Sequence, residues 1–269
     1  MSTNLICRLC DGAVSPKFSL PVLNMHTVQY LECGICGALQ TEPPYWLDRA
    51  YSSVNLSNLD TGAAQRNLRN VSACLLVSRI FQLQNVIDIG GGDGLLCRML
   101  RDLGLNCYVK DKYANPTYAQ GFTREDFVKP DLVTAFEVIE HLPNPKADLN
   151  LFFESTPEVL LLSTVIYTGE SAEWWYLSSE SGQHVFFYSM AALELIAQRY
   201  GYVLLVSGGF QIFIKPSNSW FRKWLVKNLL KERFARLAKC LAMALPTPGV
   251  WKDYRQQLEA VKQLPQRGK

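Results

Sequence analysis

Four cysteines near the N-terminus have the types and the spacing of metal ligands. Cys7 and Cys10 form one C-x-x-C pair, and Cys33 and Cys36 form a second. Two such thiolate pairs bind Zn²⁺ tetrahedrally, and four thiolates leave no open position for a substrate. We therefore predict a structural zinc site that folds the N-terminal segment. A pair of redox-active dithiols is the alternative.

A glycine-rich turn in the middle of the chain has the features of a nucleotide-type site. The pattern of residues 86–89 predicts a buried strand, and that of residues 94–104 predicts a helix. Four glycines form the turn and the start of the helix, namely Gly90, Gly91, Gly92 and Gly94. The glycines let a ligand approach the backbone, and the helix N-terminus directs free N–H groups at that ligand. Asp88 precedes the turn, where a carboxylate would meet a cationic or hydroxyl-bearing group. Asp111 ends the next predicted strand, where an acid can hold both hydroxyls of a ribose.

A third segment strengthens this interpretation. Residues 136–145 read Phe-Glu-Val-Ile-Glu-His-Leu-Pro-Asn-Pro and follow a further predicted strand. Together with Asp-Ile-Gly-Gly-Gly-Asp-Gly at residues 88–94, this segment resembles the motifs of the class I S-adenosylmethionine (SAM) dependent methyltransferases. The resemblance implies SAM as the cofactor, with Gly90 and Gly92 facing its methionine part. A dinucleotide-binding Rossmann unit, or a turn that binds nothing, is the alternative.

Acidic residues that follow the predicted strands supply the other expected SAM contacts. Asp111 is assigned to the ribose hydroxyls, and Glu137 lies near the amino acid end. Asp126 would accept a hydrogen bond from the adenine amino group, with Phe127 against the ring, although a solvated loop acid is an equal alternative for Asp126. Because the carboxyl ends of parallel strands meet at one edge of a sheet, these acids and Asp88 should converge on one crevice.

One histidine is a candidate general base. His184 lies in a polar loop between the fifth predicted strand and a helix that starts near residue 189. This loop would overhang the acceptor site, and a neutral imidazole suits proton removal near neutral pH. Ordering the loop is the alternative role. His141 and His26 are expected to serve structure at least as much as chemistry.

The cysteine pairs ahead of such a core refine the resemblance. The arrangement is similar to that of sugar C-methyltransferases, which carry a zinc-binding N-terminal domain and a Tyr-His-Glu-His-type loop. Of that loop only His184 is retained, because Ser181, Gly182 and Gln183 replace the first three residues. We also expect the chain to lack the longer C-terminal domain of that family. C-methylation of a ketosugar and O-methylation of a sugar hydroxyl are therefore both open.

Alternating strand and helix patterns predict an α/β fold with a doubly wound, mostly parallel Rossmann-like sheet. We divide the chain into a zinc-binding module (1–45), a linker and helix (46–84), a SAM-binding methyltransferase core (85–215) and a basic amphipathic helical extension (216–269). A short third strand of the core is expected near residues 119–122.

Charge is distributed unevenly along the chain. Residues 215–269 contain 13 Lys and Arg against 3 acids, although the net charge of the whole chain is only +3. In residues 219–239 aromatic side chains such as Trp220 and Trp224 alternate with basic ones. This helix could cover its own core or a homodimer contact, or act as a peripheral contact to a membrane or protein partner through 219–240. The rest of the chain contains more acids than bases and would repel phosphate, which disfavours nucleic acid as a partner.

The absence of a signal sequence and of a long apolar run predicts a cytoplasmic protein, with the inner face of the membrane as a further option. The function that fits all these observations is SAM-dependent methylation of a sugar, either a nucleotide sugar or a surface polysaccharide precursor. An O-methyltransferase of a small-molecule or quinone-type acceptor is one alternative. A SAM-binding scaffold without turnover is the other.

Overall fold

The computed structural model describes residues 5–52, 61–123, 129–231, 233–234, 240 and 244–262. Its strands, in chain order, are β1 (Val14–Val22), β2 (His26–Cys33), β3 (Leu39–Thr41), β4 (Asn85–Ile89), β5 (Asn106–Lys110), β6 (Leu132–Phe136), β7 (Val159–Ser163), β8 (Phe186–Phe187), β9 (Val203–Ser207) and β10 (Phe210–Ile214). Its α-helices are α1 (Leu47–Ser52), α2 (Ala63–Phe81), α3 (Leu95–Asp102), α4 (Pro145–Asp148), α5 (Asn150–Phe153), α6 (Met190–Tyr200), α7 (Trp220–Leu229) and α8 (Pro248–Lys262).

A six-stranded sheet in the order β5-β4-β6-β7-β10-β9 forms the centre of the molecule. The four strands from β5 to β7 are parallel, and β10 runs antiparallel to both of its neighbours. All five residues of β7 are buried, as expected for a strand covered on both faces. The sheet confirms the predicted α/β class and its mostly parallel character.

Helices cover both faces of this sheet. On one face α2 and α3 pack with residues of α7, and their apolar side chains, such as Leu75, Leu100 and Val226, form one core. On the other face α5 and α6 form a second core through Phe152 and Leu193. The N-terminal cysteines join this second core, so the segment that carries them packs directly on the central sheet.

The third strand predicted near residues 119–122 does not form. Residues 118–121 are a turn, and only Thr123 makes an isolated parallel bridge, to Val109 of β5. Gly121 adopts a φ of +79°, which interrupts an extended chain. The prediction was wrong because Ala119 and Phe122, which are buried, pack as part of a turn rather than as one face of a strand.

A second, antiparallel sheet has the order β1-β2-β3-β8. Its first three strands come from the N-terminal segment, and its fourth comes from a distant part of the chain. The pairing joins Leu39 to Phe187 and Gln40 to Phe186. Because β8 follows His184 almost directly, the N-terminal sheet and the loop that carries this histidine share one hydrogen-bonded structure.

The C-terminal helices pack on the core in different ways. Helix α7 begins at Ser219, whose side chain caps the helix by accepting a hydrogen bond from the N–H of Arg222, and it buries Val226. Helix α8 lies against α3, where Asp253 pairs with Arg101. Within the described residues, every helix is too short or too polar to cross a membrane.

Candidate active site

Close packing fixes the glycine-rich turn between β4 and α3. A Cβ at Gly91 would lie 2.3 Å from Oδ2 of Asp88, and one at Gly90 would lie 2.6 Å from Val138. Gly92 has a φ of +55°, and nothing lies within 4 Å of the position that its Cβ would take. The turn is thus packed on its inner side and leaves open space for a ligand at Gly92.

Asp88 lies beneath this turn, where it is almost fully buried. One carboxylate oxygen accepts a hydrogen bond of 2.8 Å from the hydroxyl of Thr134, whereas Oδ2 has no partner among the described residues. Burial raises the pKa of Asp88 to about 7, although the Thr134 hydrogen bond opposes the shift. A buried carboxyl group with a free oxygen at this point suits a ligand that brings a hydrogen-bond donor or a positive charge.

Asp111 holds the far side of the turn. Its Oδ2 accepts the backbone N–H of Gly92 at 2.9 Å, and its Oδ1 accepts those of Tyr113 and Ala114 at 2.8 Å. The side chain is partly exposed. Asp111 therefore connects the end of β5 to the open position at Gly92, at the edge where the sequence places the ribose.

Glu137 and Glu140 meet at one tyrosine hydroxyl. The hydroxyl of Tyr176 lies 2.8 Å from Oε2 of Glu137 and 2.7 Å from Oε1 of Glu140. Glu137 also accepts a hydrogen bond of 2.6 Å from Ser163, and it has a φ of +56°, a strained value for a side-chain-bearing residue. Glu140 is fully buried, and burial, followed by the charge of Glu137, raises its pKa to about 8.

The hydrogen bonds of His184 define its tautomer. Its Nδ1 lies 2.7 Å from the backbone carbonyl oxygen of Tyr176. Because a carbonyl oxygen can only accept, Nδ1 carries the proton and Nε2 retains a lone pair. Burial lowers the pKa of His184, so the ring is neutral near pH 7. His141 packs edge-on against His184 with ring centres 4.8 Å apart, and burial lowers its pKa to about 3.

Tyr51 of α1 connects the turn side of the site to the histidine side. Its ring stacks on Tyr113, two residues after Asp111, with centres 4.1 Å apart. Its hydroxyl lies 3.4 Å from Nδ1 of His141. The glycine turn also contacts Val138, next to Glu137. The predicted residues Asp88, Asp111, Glu137 and His184 therefore lie around one edge of the sheet.

The N-terminal sheet holds the segment that contains His184. Arg8 donates a hydrogen bond of 2.6 Å to the carbonyl oxygen of Val185, which also accepts the N–H of Thr41 at 3.1 Å. The indole N–H of Trp46 donates to the carbonyl oxygen of Gly182 at 2.7 Å, and the amide of Gln183 donates to that of Ala50 at 2.9 Å. The position of His184 thus depends on residues from the first fifty of the chain.

The four N-terminal cysteines form one cluster of free thiols. Their sulfur atoms all lie within 4.8 Å of one another, with Cys7 and Cys36 3.7 Å apart and Cys10 and Cys33 3.5 Å apart. Four Zn–S bonds of about 2.3 Å in a tetrahedron place sulfur atoms about 3.8 Å apart. The donor set and its dimensions fit a zinc ion.

Two predicted site residues lie outside the described residues, namely Asp126 and Phe127. Sequence reasoning missed the roles of Tyr176 and Glu140. Tyr176 stands in an aromatic run with Trp174 and Trp175, which gives no sign that Tyr176 is buried while Trp175 is 75% exposed. The sequence did contain a signal for Glu140, because this acid follows Glu137 by three residues and directly precedes His141. No pattern marked Tyr51.

The family comparison covers the part of the chain that contains these residues. A family described as "Methyltransferase domain" matches residues 60–206, which is more than half of the chain. No curated protein sequence matches the chain. The match covers the glycine turn, Asp111, Glu137 and His184. The chain therefore belongs to the methyltransferase domain family, and it is a SAM-dependent methyltransferase.

Several solved methyltransferase structures are similar to parts of the chain. The methyltransferase domain of bacterial CtHen1-C is 16% identical, covering 55% of this chain and 98% of its own, with a TM-score of 0.40. Magnesium protoporphyrin IX methyltransferase (ChlM) from Synechocystis PCC 6803, with bound SAH, is 18% identical, covering 63% and 92%, with a TM-score of 0.44. The plantazolicin methyltransferase BamL is 13% identical, covering 75% and 88%, with a TM-score of 0.48.

Proposed function

We propose that this methyltransferase transfers the methyl group of SAM directly to a sugar, with His184 as the base that accepts the acceptor's proton. The observation that carries the proposal is the hydrogen bond from Nδ1 of His184 to the Tyr176 carbonyl oxygen. This bond fixes the ring and leaves the lone pair on Nε2, at the edge of the sheet where the glycine turn lies.

The residues around the turn would hold SAM. The open position at Gly92 would admit the methionine part, Asp111 would accept hydrogen bonds from the ribose hydroxyls, and Glu137 would lie near the α-amino group. When bound, SAM would supply an electrophilic methyl group on a sulfonium sulfur: the acceptor atom would bond the methyl carbon while the C–S bond breaks and its electron pair stays on sulfur. The acceptor's proton passes to Nε2 of His184, and the chain's main contribution is positioning.

A sugar acceptor is supported by the aromatic side chains beside His184 and by the resemblance to sugar C-methyltransferases. Trp175 is 75% exposed and packs edge-on against Tyr176, which contacts the His184 ring. An exposed indole offers an apolar face to a sugar ring and a polar N–H at its edge. The acceptor would be a nucleotide sugar or a surface polysaccharide precursor.

The role of His184 can be tested by substitution. His184→Ala should lower kcat by about 10²–10⁴-fold because the acceptor's proton loses its base, while SAM affinity by calorimetry stays unchanged. His26→Ala is the matched control, because His26 lies in the N-terminal sheet and contacts Tyr45 instead of the site. Wild-type turnover in His184→Ala would rule out the base.

The acceptor class can be tested with methyl-labelled SAM and a cell extract split into a soluble nucleotide-sugar fraction and a lipid and polymer fraction. Label in the soluble fraction is the expected result for a nucleotide sugar. Label in a quinone or other lipid would favour the O-methyltransferase alternative. SAM binding with label in neither fraction would favour the scaffold without turnover.

We also propose that the four-cysteine cluster binds one structural Zn²⁺. The metal would hold the two cysteine turns together, and through Arg8 and Thr41 it would stabilise the segment that carries His184. Cys33→Ser should lose the zinc measured by atomic absorption and lower the transfer rate, whereas Cys240→Ser, at an exposed thiol, should keep both. Full zinc content in Cys33→Ser would contradict the assignment.

A further inference from the structure

A second group of metal-ligating side chains lies on the acceptor side of the site. A carboxylate oxygen of Glu140 and one ring nitrogen each of His141 and His184 lie within 4.8 Å of one another. A first-row divalent cation bound through bonds of about 2.1 Å needs such atoms about 3–3.5 Å apart. The separations thus exceed those around a bound cation by at most about 1–2 Å.

The surroundings of this group favour a cation. Glu140 is fully buried, and its Oε2 has no hydrogen-bond partner among the described residues. The carboxylate of Glu137 lies on the other side of the Tyr176 hydroxyl, so two acids lie close together. Within the described part of the chain, their side-chain hydrogen bonds come from Ser163 and Tyr176, which are neutral donors. A buried oxygen without a partner is costly unless something occupies the position beside it.

The hydrogen bonds of His184 also match those of a metal-binding histidine. Such a histidine usually donates its second ring N–H to a carboxylate or a backbone carbonyl, which fixes the ring and raises its basicity. The Nδ1–H of His184 donates to the Tyr176 carbonyl oxygen in this way, so Nε2 is the ligand atom. Two imidazoles and one carboxylate suit first-row divalent ions such as Mn²⁺, Fe²⁺, Co²⁺ or Zn²⁺.

We propose that Glu140, His141 and His184 form a binding site for a divalent first-row metal ion, distinct from the four-cysteine cluster. The inference rests on the proposed function for the place of the acceptor. A cation and a proton need the same lone pair, so His184 is the base of the metal-free protein and a ligand of the loaded one. A hydroxyl bound to the cation ionises more easily, so the site extends the proposed function to a sugar whose acceptor oxygen binds the cation.

The test uses Mn²⁺, because manganese prefers nitrogen and oxygen ligands to the thiolates of the cysteine cluster. The zinc-loaded protein, comprising all 269 residues, is titrated with Mn²⁺ without SAM or acceptor, and the free ion is followed by its electron paramagnetic resonance signal. We expect about one Mn²⁺ bound per chain. His141→Ala, His184→Ala and Glu140→Gln should each weaken this binding by tenfold or more.

The control variant is His26→Ala. It changes the one histidine of the chain that lies outside the proposed site, and it should bind Mn²⁺ as the wild type does. Calorimetry with SAM shows whether each variant has kept its fold. Absence of Mn²⁺ binding by the wild type would overturn the site, and so would wild-type binding by folded His141→Ala and His184→Ala. The titration requires no turnover, so it tests the metal site alone. The labelled-SAM experiment tests methyl transfer, and either experiment can fail without changing the result of the other.

Discussion

Asp111 has one observed role and one proposed role at the edge of the sheet. Its three backbone hydrogen bonds hold the loop after β5 and the open position at Gly92. If it also binds the ribose hydroxyls, Asp111→Ala should weaken SAM affinity by at least about tenfold, since hydrogen bonds to a charged group contribute about 1.5–3 kcal/mol. Isothermal titration calorimetry with SAM measures the change.

Asp131 provides a matched control for that prediction. Its carboxylate also accepts two backbone N–H groups, from Gln84 and Asn85, but at the opposite end of the parallel strands. Asp131→Ala should therefore cost stability and leave SAM affinity close to that of the wild type. Equal affinities for Asp111→Ala and the wild type would remove Asp111 from the cofactor site.

At the residue scale, the sequence best predicted the positions of those candidate residues that lie next to strand ends. Asp88, Asp111 and Glu137 each follow or end a β-branched or apolar run, and parallel strands bring such positions together. Tyr176 and Tyr51 could not be found in this way. Each contributes through its hydroxyl to a residue distant in the sequence, and neither lies in a periodic pattern that specifies its partner.

Helix α8 is attached to α3 by a buried ion pair. Asp253 accepts hydrogen bonds of 2.6 and 2.7 Å from Arg101 and one of 2.7 Å from Arg98, and the Arg101 guanidinium stacks on Phe122. Burial alone would raise the pKa of Asp253, but the hydrogen bonds from Arg101 and Arg98 outweigh it and hold the pKa below its usual value. The pair therefore contributes stability above pH 4, which is lost as the pH falls through the pKa of the folded state.

Breaking this pair should be costly. Asp253→Asn leaves Arg101 buried without its counter-ion, and the expected loss is about 3–5 kcal/mol in the free energy of unfolding measured with urea. Asp102→Asn removes another partner of the same Arg98, but from a more exposed pair, and should cost less than about 1 kcal/mol. Similar losses of unfolding free energy for both variants would show that the buried pair contributes no more stability than the exposed one.

Some elements have local sequence signals and others depend on long-range contacts, which explains why the sequence predicted only part of the fold. The strands and helices of the central sheet have local signals, such as the apolar run of β7 and the glycine turn before α3. The attachment of α8 and the pairing of β8 with β3 depend on contacts across more than a hundred residues. Two residues, Phe186 and Phe187, are too short a run to indicate a strand by their own pattern.

At the scale of the whole molecule, α7 presents an aromatic and basic surface. Trp220, Phe221 and Trp224 are 75%, 52% and 54% exposed, although the opposite side of the helix buries Val226. The helix thus covers its own core and still offers a second face. Exposed tryptophan among lysine and arginine is typical of a helix that lies on an anionic membrane surface, and we propose this contact.

Vesicle sedimentation tests the proposal. The protein should bind vesicles that contain phosphatidylserine, bind neutral vesicles weakly, and lose binding at high salt. Trp220→Ala with Trp224→Ala should weaken the binding, whereas Trp251→Ala should not, although Trp251 on α8 is 69% exposed. If a homodimer covers this face instead, the protein would not bind vesicles, and light scattering would detect the dimer.

The sheet that β3 shares with β8 also affects the order in which a growing chain can fold. When the ribosome has released the cysteine pairs and the first three strands, residues 39–41 present an edge without its neighbour. That edge stays open until residue 187 has emerged, when four of the six strands of the central sheet have been made. Open strand edges invite pairing with other chains. Early metal capture and a short β3 would limit that exposure during synthesis.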